Sequence, residues 1–240
     1  MAKKFLTIDG QHFEIAYEIL NPNQPQSIVF LHGWGSNKEI MKQAFGRYFA
    51  DFTHLYIDLP GFGQSQNTYI LDTQKYADMM RIFLDSLGIQ DAMIVGHSFG
   101  GKIATLLAPK ELVLLSSAGI ICPKSLKVKI KIFIAKTLRR LGLSSRALRS
   151  SDADGLNEAM YQTFKNVVDE DFTSVFSTSS SRTYIFWGNQ DRATPLKSGQ
   201  IMHRLISNSA FKSFDGDHYF FLHYGGEIQQ QILEWRDRLE

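Results

Sequence analysis

The stretch Gly96-His97-Ser98-Phe99-Gly100-Gly101 contains the pattern G-x-S-x-G, preceded by the apolar run Ala92-Met93-Ile94-Val95 and followed by a helical stretch from Lys102 to Ala108. In that setting a sharp strand-to-helix turn lifts the serine hydroxyl clear of a sheet, and flanking glycines leave room for the strained backbone. The chemistry implied is nucleophilic attack by Ser98 on an acyl carbon, with free N–H groups at the helix start favouring the negative charge that develops. The bland alternative is a glycine-rich turn whose serine only caps a helix.

A serine hydroxyl at its ordinary pKa is a weak nucleophile and needs a base, for which seven histidines compete. His218, in Asp215-Gly216-Asp217-His218-Tyr219, is best placed, between the last expected strand and the last helix. His97 adjoins Ser98, where neighbouring side chains point apart, and His32 falls in a loop discussed below; His12, His54, His203 and His223 are read as surface or structural. The base in turn needs a carboxylate to fix its tautomer and stabilise the imidazolium. Asp191, in Trp187-Gly188-Asn189-Gln190-Asp191-Arg192-Ala193-Thr194-Pro195, follows a strand and fits that role. Asp58, in Asp58-Leu59-Pro60-Gly61-Phe62-Gly63-Gln64-Ser65, is read as a structural turn shaping the pocket, and Asp215 and Asp217 as too close to His218 in sequence to reach its ring. His32-Gly33-Trp34-Gly35 follows the strand Ser27 to Leu31, so the backbone N–H groups of Trp34 and Phe99 are the expected oxyanion donors. Loss of one such donor typically raises the barrier by about 2.7 to 4 kcal/mol.

The elements that must position these groups alternate along the chain. Residues 5 to 20 read as a hairpin about the turn pair Asp9-Gly10. Strands are then expected at Ser27 to Leu31, Thr53 to Asp58, Asp91 to Val95, Glu111 to Ser116, Thr183 to Trp187 and Ala210 to Phe214, mostly continuous apolar runs suited to burial on both faces. Helices near 38 to 49, 73 to 87, 99 to 108, 196 to 206 and 226 to 238 complete a βαβα order. The fold class is therefore α/β, a mainly parallel sheet with helices on both faces.

The alternation breaks between residues 119 and 181, which are assigned to an inserted helical cap, leaving 1–118 and 182–240 as the core. From Leu112 to Ser151 there is no acidic residue, whereas Lys124, Lys127, Lys129, Lys131, Lys136, Arg139, Arg140, Arg146 and Arg149 are basic. Leu126, Ile130, Phe133, Ile134, Leu138 and Leu141 form one helical stripe, with Val128 and Ile132 off it. The surplus apolar surface suits a substrate pocket, with Phe133 and Ile134 as candidate lining residues; a subunit contact or an anionic membrane surface is the less favoured use. Met160, Phe164, Val167 and Val168 mark a second, acidic helix that could pair with the first.

Taken together, H-G-W-G, D-L-P-G-F-G-Q-S, G-H-S-F-G-G, W-G-N-Q-D and G-D-H resemble the α/β-hydrolase superfamily over essentially the whole chain, and within it the capped bacterial esterases and carbon–carbon-bond hydrolases, including the carboxylesterase of biotin synthesis. The resemblance implies a serine hydrolase with Ser98, Asp191 and His218 as catalytic triad, no cofactor and no metal. Serine at the nucleophile position disfavours haloalkane dehalogenase and epoxide hydrolase activity, where an aspartate stands. One departure is the short link Leu107-Ala108-Pro109-Lys110-Glu111, where relatives carry a longer helix and turn. The expected reaction is hydrolysis of a small or medium acyl ester; cleavage of a carbon–carbon bond in a vinylogous diketone and a silent ligand-binding module are the competing readings.

Composition sets the outer bounds. With 240 residues, 44% hydrophobic and 21% charged, the chain is expected to fold as one globular domain carrying an insertion. A net charge of +2 offers no basic field for nucleic acid, so a small-molecule partner is expected. A single cysteine, Cys122, and a polar start at Met1-Ala2-Lys3-Lys4 point to the cytoplasm.

Overall fold

The computed structural model describes residues 1–121 and 157–239, the last three of these for their backbone only. The chain opens with the hairpin β1 (Ala2–Ile8) and β2 (Gln11–Leu20), turned by Asp9 and Gly10, both at positive φ. Then follow β3 (Gln26–Leu31), α1 (Lys38–Phe45), β4 (Phe52–Ile57), α2 (Thr73–Ser86), β5 (Met93–His97), α3 (Phe99–Leu107) and β6 (Glu111–Leu115). After the undescribed residues come α4 (Glu158–Val167), α5 (Thr173–Ser177), β7 (Arg182–Gly188), α6 (Leu196–Leu205), β8 (Ser209–Phe214) and α7 (Phe221–Leu239). The eight strands lie in the order β1-β2-β4-β3-β5-β6-β7-β8, antiparallel at β1-β2-β4 and parallel from β4 onward.

Strand side chains alternate between two cores, as a period of two requires. Val29, Leu31, Ile94, Leu112, Leu114, Ile185 and Trp187 pack on the face covered by α2, α3 and α6. Ile28, Phe30, Met93, Val95, Val113, Leu115, Tyr184 and Phe186 pack on the opposite face with α1 and α7. Burial on both faces is why these strands read as unbroken apolar runs.

Most expected element ends lie within two residues of the observed ones; the hairpin opens three residues early, at Ala2, and three other differences have clear causes. The expected strand Asp91 to Val95 begins instead at Met93, because Asp91 is at φ 51°, and it runs on to His97 at the elbow. The first helix stops at Phe45 rather than residue 49, closed by Gly46. The last helix starts at Phe221 rather than residue 226 and is broken at Tyr224; burial of Phe220 and Phe221 outweighs the poor helix propensity of Gly225-Gly226. At the short link after α3, Ala108 adopts the left-handed conformation (φ 49°, ψ 53°), which turns the chain into β6 within three residues.

α4 and α5 stand between β6 and β7, which nevertheless pair directly. α4 docks on the loop after β4: Leu71 N–H donates to Thr163 Oγ1 (2.9 Å), and Asn166 Nδ2 donates to Leu71 O (3.0 Å). Of the four apolar residues expected to mark this helix, Met160 and Val167 are buried, Phe164 is half-buried and Val168, just past its end, is exposed. The basic helix, its lysines, Phe133 and Ile134 lie outside the described residues, as does its pairing with the acidic helix. Among the described residues no helix is long and apolar enough to cross a membrane.

Candidate active site

Six loops meet at the carboxyl ends of the parallel strands, where open α/β sheets gather ligand-binding groups. Ser98 follows β5 at φ 51°, ψ −113°, a region where a non-glycine residue carries about 1–3 kcal/mol of strain. The strain is held by the surroundings: Ser98 N–H donates to Leu115 O (3.1 Å), and Ser98 O accepts from the N–H groups of Gly101 and Ala118 (both 3.0 Å). At Gly100 an added Cβ would collide with the Leu31 carbonyl, so the elbow can approach β3 only with glycine there.

The caps of the helices discriminate between the two readings of the serine. Asn37, Asp72 and Asn157 each use their side chain to cap a helix, accepting from Glu39, Lys75 and Met160 N–H respectively. Ser98 stands at the same position of α3 and makes no side-chain capping bond. Its hydroxyl is not spent on the helix.

His218 follows β8, and its Nδ1–H donates to Asp191 Oδ2 at 2.8 Å. With the proton on Nδ1, the neutral ring carries its lone pair on Nε2, which makes no hydrogen bond among the described residues. Asp191, buried in the loop after β7, accepts through Oδ1 from the N–H groups of Ala193 (2.8 Å) and Thr194 (2.9 Å). The Thr194 hydroxyl is 2.8 Å from Asp191 Oδ2, 3.0 Å from Ser116 O and 3.3 Å from His218 Nδ1. Burial alone would push the Asp191 carboxyl up; the bonds from His218 and Thr194 outweigh it and hold the group below the usual carboxylate range.

Ser98, His218 and Thr194 line one cavity of about 490 Å³. Trp34 and Phe99 line it too, their rings 5.5 Å apart, and Trp34 also packs edge-on against Phe62. Ile120, Ile121, Phe164, Val167 and Val168 add apolar wall, and Lys102, Asp169 and Glu170 add charge. A larger cleft of about 650 Å³ lies by the strand starts, among Gln26, Asp91, Lys110, Glu111 and Arg236; it holds no serine–histidine–carboxylate set, so size does not locate the chemistry.

The structure thus brings Ser98, Asp191, His218, Trp34 and Phe99 to one place. Asp58 is elsewhere occupied: fully buried, it accepts from Lys38 N–H (2.7 Å), Lys38 Nζ (3.0 Å) and Gln64 N–H (3.0 Å), a structural role. Asp215 accepts from Gln190 Nε2 and Asp217 from Tyr219 N–H, and neither bonds the imidazole. His32 ties two loops together, its Nε2 accepting from Leu59 N–H (3.0 Å) and its Nδ1–H donating to Gly33 O (2.8 Å). Burial pushes this ring down to about 4, although the Gly33 bond and Asp58 pull the other way. His54 is buried between Tyr56 Oη and Phe49 O, also structural.

Three residues of this region were not anticipated. Thr194 was legible only as a threonine three residues after an aspartate, a common turn pattern. Lys102 is the one charge in the otherwise apolar helix Phe99–Leu107; its Nζ is buried and donates to Val167 O and Glu170 Oε2, both at 2.6 Å. His97 contacts His218 across 121 positions of sequence, which no local pattern reveals.

A family model described as the alpha/beta hydrolase family matches residues 28–228. The chain belongs to the α/β-hydrolase family. Among its curated relatives, this α/β-hydrolase is 38% identical over 94 residues to a 2-succinyl-6-hydroxy-2,4-cyclohexadiene-1-carboxylate synthase of Citrobacter koseri, a match covering 38% of this chain and 37% of the synthase's length. It is 22% identical over 86% of its length to the uncharacterized hydrolase YugF of Bacillus subtilis, 87% of which is covered. An esterase from Exiguobacterium antarcticum superposes with a TM-score of 0.76 at 20% identity, covering 98% of this chain and 99% of that one, a likeness of fold. Membership of this family is what the resemblance of the chain's motifs implied.

Proposed function

We propose that this α/β-hydrolase cleaves a carboxylic ester of a small or medium acyl group through an acyl-enzyme. Ser98 Oγ attacks the carbonyl carbon while His218 Nε2 takes its proton, and the imidazolium then protonates the leaving alcohol. Water, deprotonated by the same nitrogen, cleaves the acyl-serine and releases the acid. Asp191 holds the productive tautomer, and the backbone N–H groups of Trp34 and Phe99 receive the oxyanion. The observation that carries this reading is the Asp191–His218 bond together with a Ser98 hydroxyl that does not cap its helix, with Ser98 and His218 lining one cavity. The apolar part of its wall, Trp34, Ile120, Ile121, Phe164 and Val167, suits an acyl chain.

The test is fluorophosphonate labelling together with p-nitrophenyl esters of graded chain length, run beside a dienoate diketone and an acyl thioester. Labelling that disappears in a folded Ser98→Ala protein, with turnover of esters, is the expected result. Labelling retained in that variant refutes the nucleophile; faster turnover of the diketone or the thioester refutes the ester assignment.

A further inference from the structure

His97 ends β5 and is 1% exposed, yet the mechanism above gives it no part. Its Nε2 is 3.0 Å from the main-chain carbonyl of His218. A carbonyl only accepts, so the proton is on Nε2 and Nδ1 keeps a lone pair. Nδ1 is buried and has no hydrogen-bond partner among the described residues. Burial and the neighbouring His218 ring hold His97 well below the ordinary histidine range, so the ring is neutral.

The ring also packs against His218 itself and against the loop after β3. Its centroid is 4.5 Å from that of His218 and 4.7 Å from that of Phe221. The Gly33 backbone packs against it closely enough that an added Cβ would be 2.9 Å from Nδ1. Other hydrogen bonds of the loop after β8 fall on Asp215, Gly216, Asp217 and the His218 imidazole, not on the His218 carbonyl. A residue kept for packing alone would be apolar here, since a buried nitrogen without a partner is destabilising. The N–H on the opposite side of the ring offsets that loss.

We propose that His97 is a positioning residue: its Nε2–H holds the His218 carbonyl and thereby sets the distance between the imidazole and Ser98. This rests on the ester-hydrolase reading above. Misplacement of a reacting group by as little as 1 Å can lower a rate by about a hundredfold, so one main-chain anchor suffices to control turnover.

Two substitutions separate the N–H from the ring. His97→Phe keeps an aromatic ring and removes the donor; His97→Gln loses the ring and keeps an amide N–H at similar reach. For a p-nitrophenyl ester, His97→Phe is expected to lower kcat and the fluorophosphonate labelling rate at least about tenfold with KM changed less than about twofold, and His97→Gln to recover to within about threefold of wild type. His97→Phe with wild-type kcat, or His97→Gln as impaired as His97→Phe, overturns the proposal. Should His97→Phe fail to fold, ¹⁵N-imidazole NMR of the wild type decides: a neutral Nε2–H tautomer for His97 at pH 6 to 8 is required, and an Nδ1–H tautomer or an imidazolium refutes it. A wild type inert to fluorophosphonate defeats the Ser98 reading, whereas a labelled wild type with an unimpaired His97→Phe defeats this proposal alone.

Discussion

Lowering the pH should destabilise the fold through His32 before the carboxylates titrate. Its imidazole is fully buried, donates to Gly33 O and accepts from Leu59 N–H, and is held down to about 4 from an ordinary 6.5. The unfolded chain therefore takes up a proton at this residue as pH drops below 6.5, while the folded chain resists until about 4. Stability from the neutral ring is thus fully present above 6.5, declines as pH falls, and is exhausted below about 4, with a limit of about 3 kcal/mol. Between pH 7 and 5 the loss works out at about 2 kcal/mol. Urea unfolding at both values, for wild type and His32→Gln, isolates this residue, since buried His54 and His97 are common to both proteins. His32→Gln should be less stable at pH 7 by about 1 kcal/mol, having lost a hydrogen bond, and should fall by about 2 kcal/mol less than wild type on acidification. Equal pH dependence in the two proteins, within about 0.5 kcal/mol, refutes the reasoning.

Asp191→Asn should keep the fold but lower kcat by about four orders of magnitude, because an amide N–H facing Nδ1 traps the tautomer with its proton on Nε2. Stopped assays on the folded variant check this, and activity near wild type reassigns the acid. Lys102→Met should cost about 1–3 kcal/mol in urea unfolding, since it removes the bond to the Val167 carbonyl and leaves the Glu170 carboxylate with the Thr73 hydroxyl but no cation. It should also alter the preferred ester chain length, because Val167 and Glu170 form cavity wall; unchanged stability and preference would show that the ammonium anchors nothing.

The order of strands and helices was legible in the sequence because burial on both faces writes itself as continuous apolar runs, and because the elbow and its flanking glycines are a local steric requirement. Ser98, Asp191 and His218 could be placed for the same reason: each lies just past a strand, and a parallel sheet brings all strand ends to one edge. Local signals did not give the start of the last helix, where buried Phe220 and Phe221 bring a first turn onto the core ahead of the kink at Tyr224. Only the tertiary structure decided that Lys102 turns inward onto Glu170, that Thr194 shares the Asp191 carboxylate, and that His97 grips the His218 main chain. The first and last of these contacts join residues 68 and 121 positions apart through single hydrogen bonds. Their partners are chosen by the distance and angle that packing leaves, which residue type and spacing do not encode.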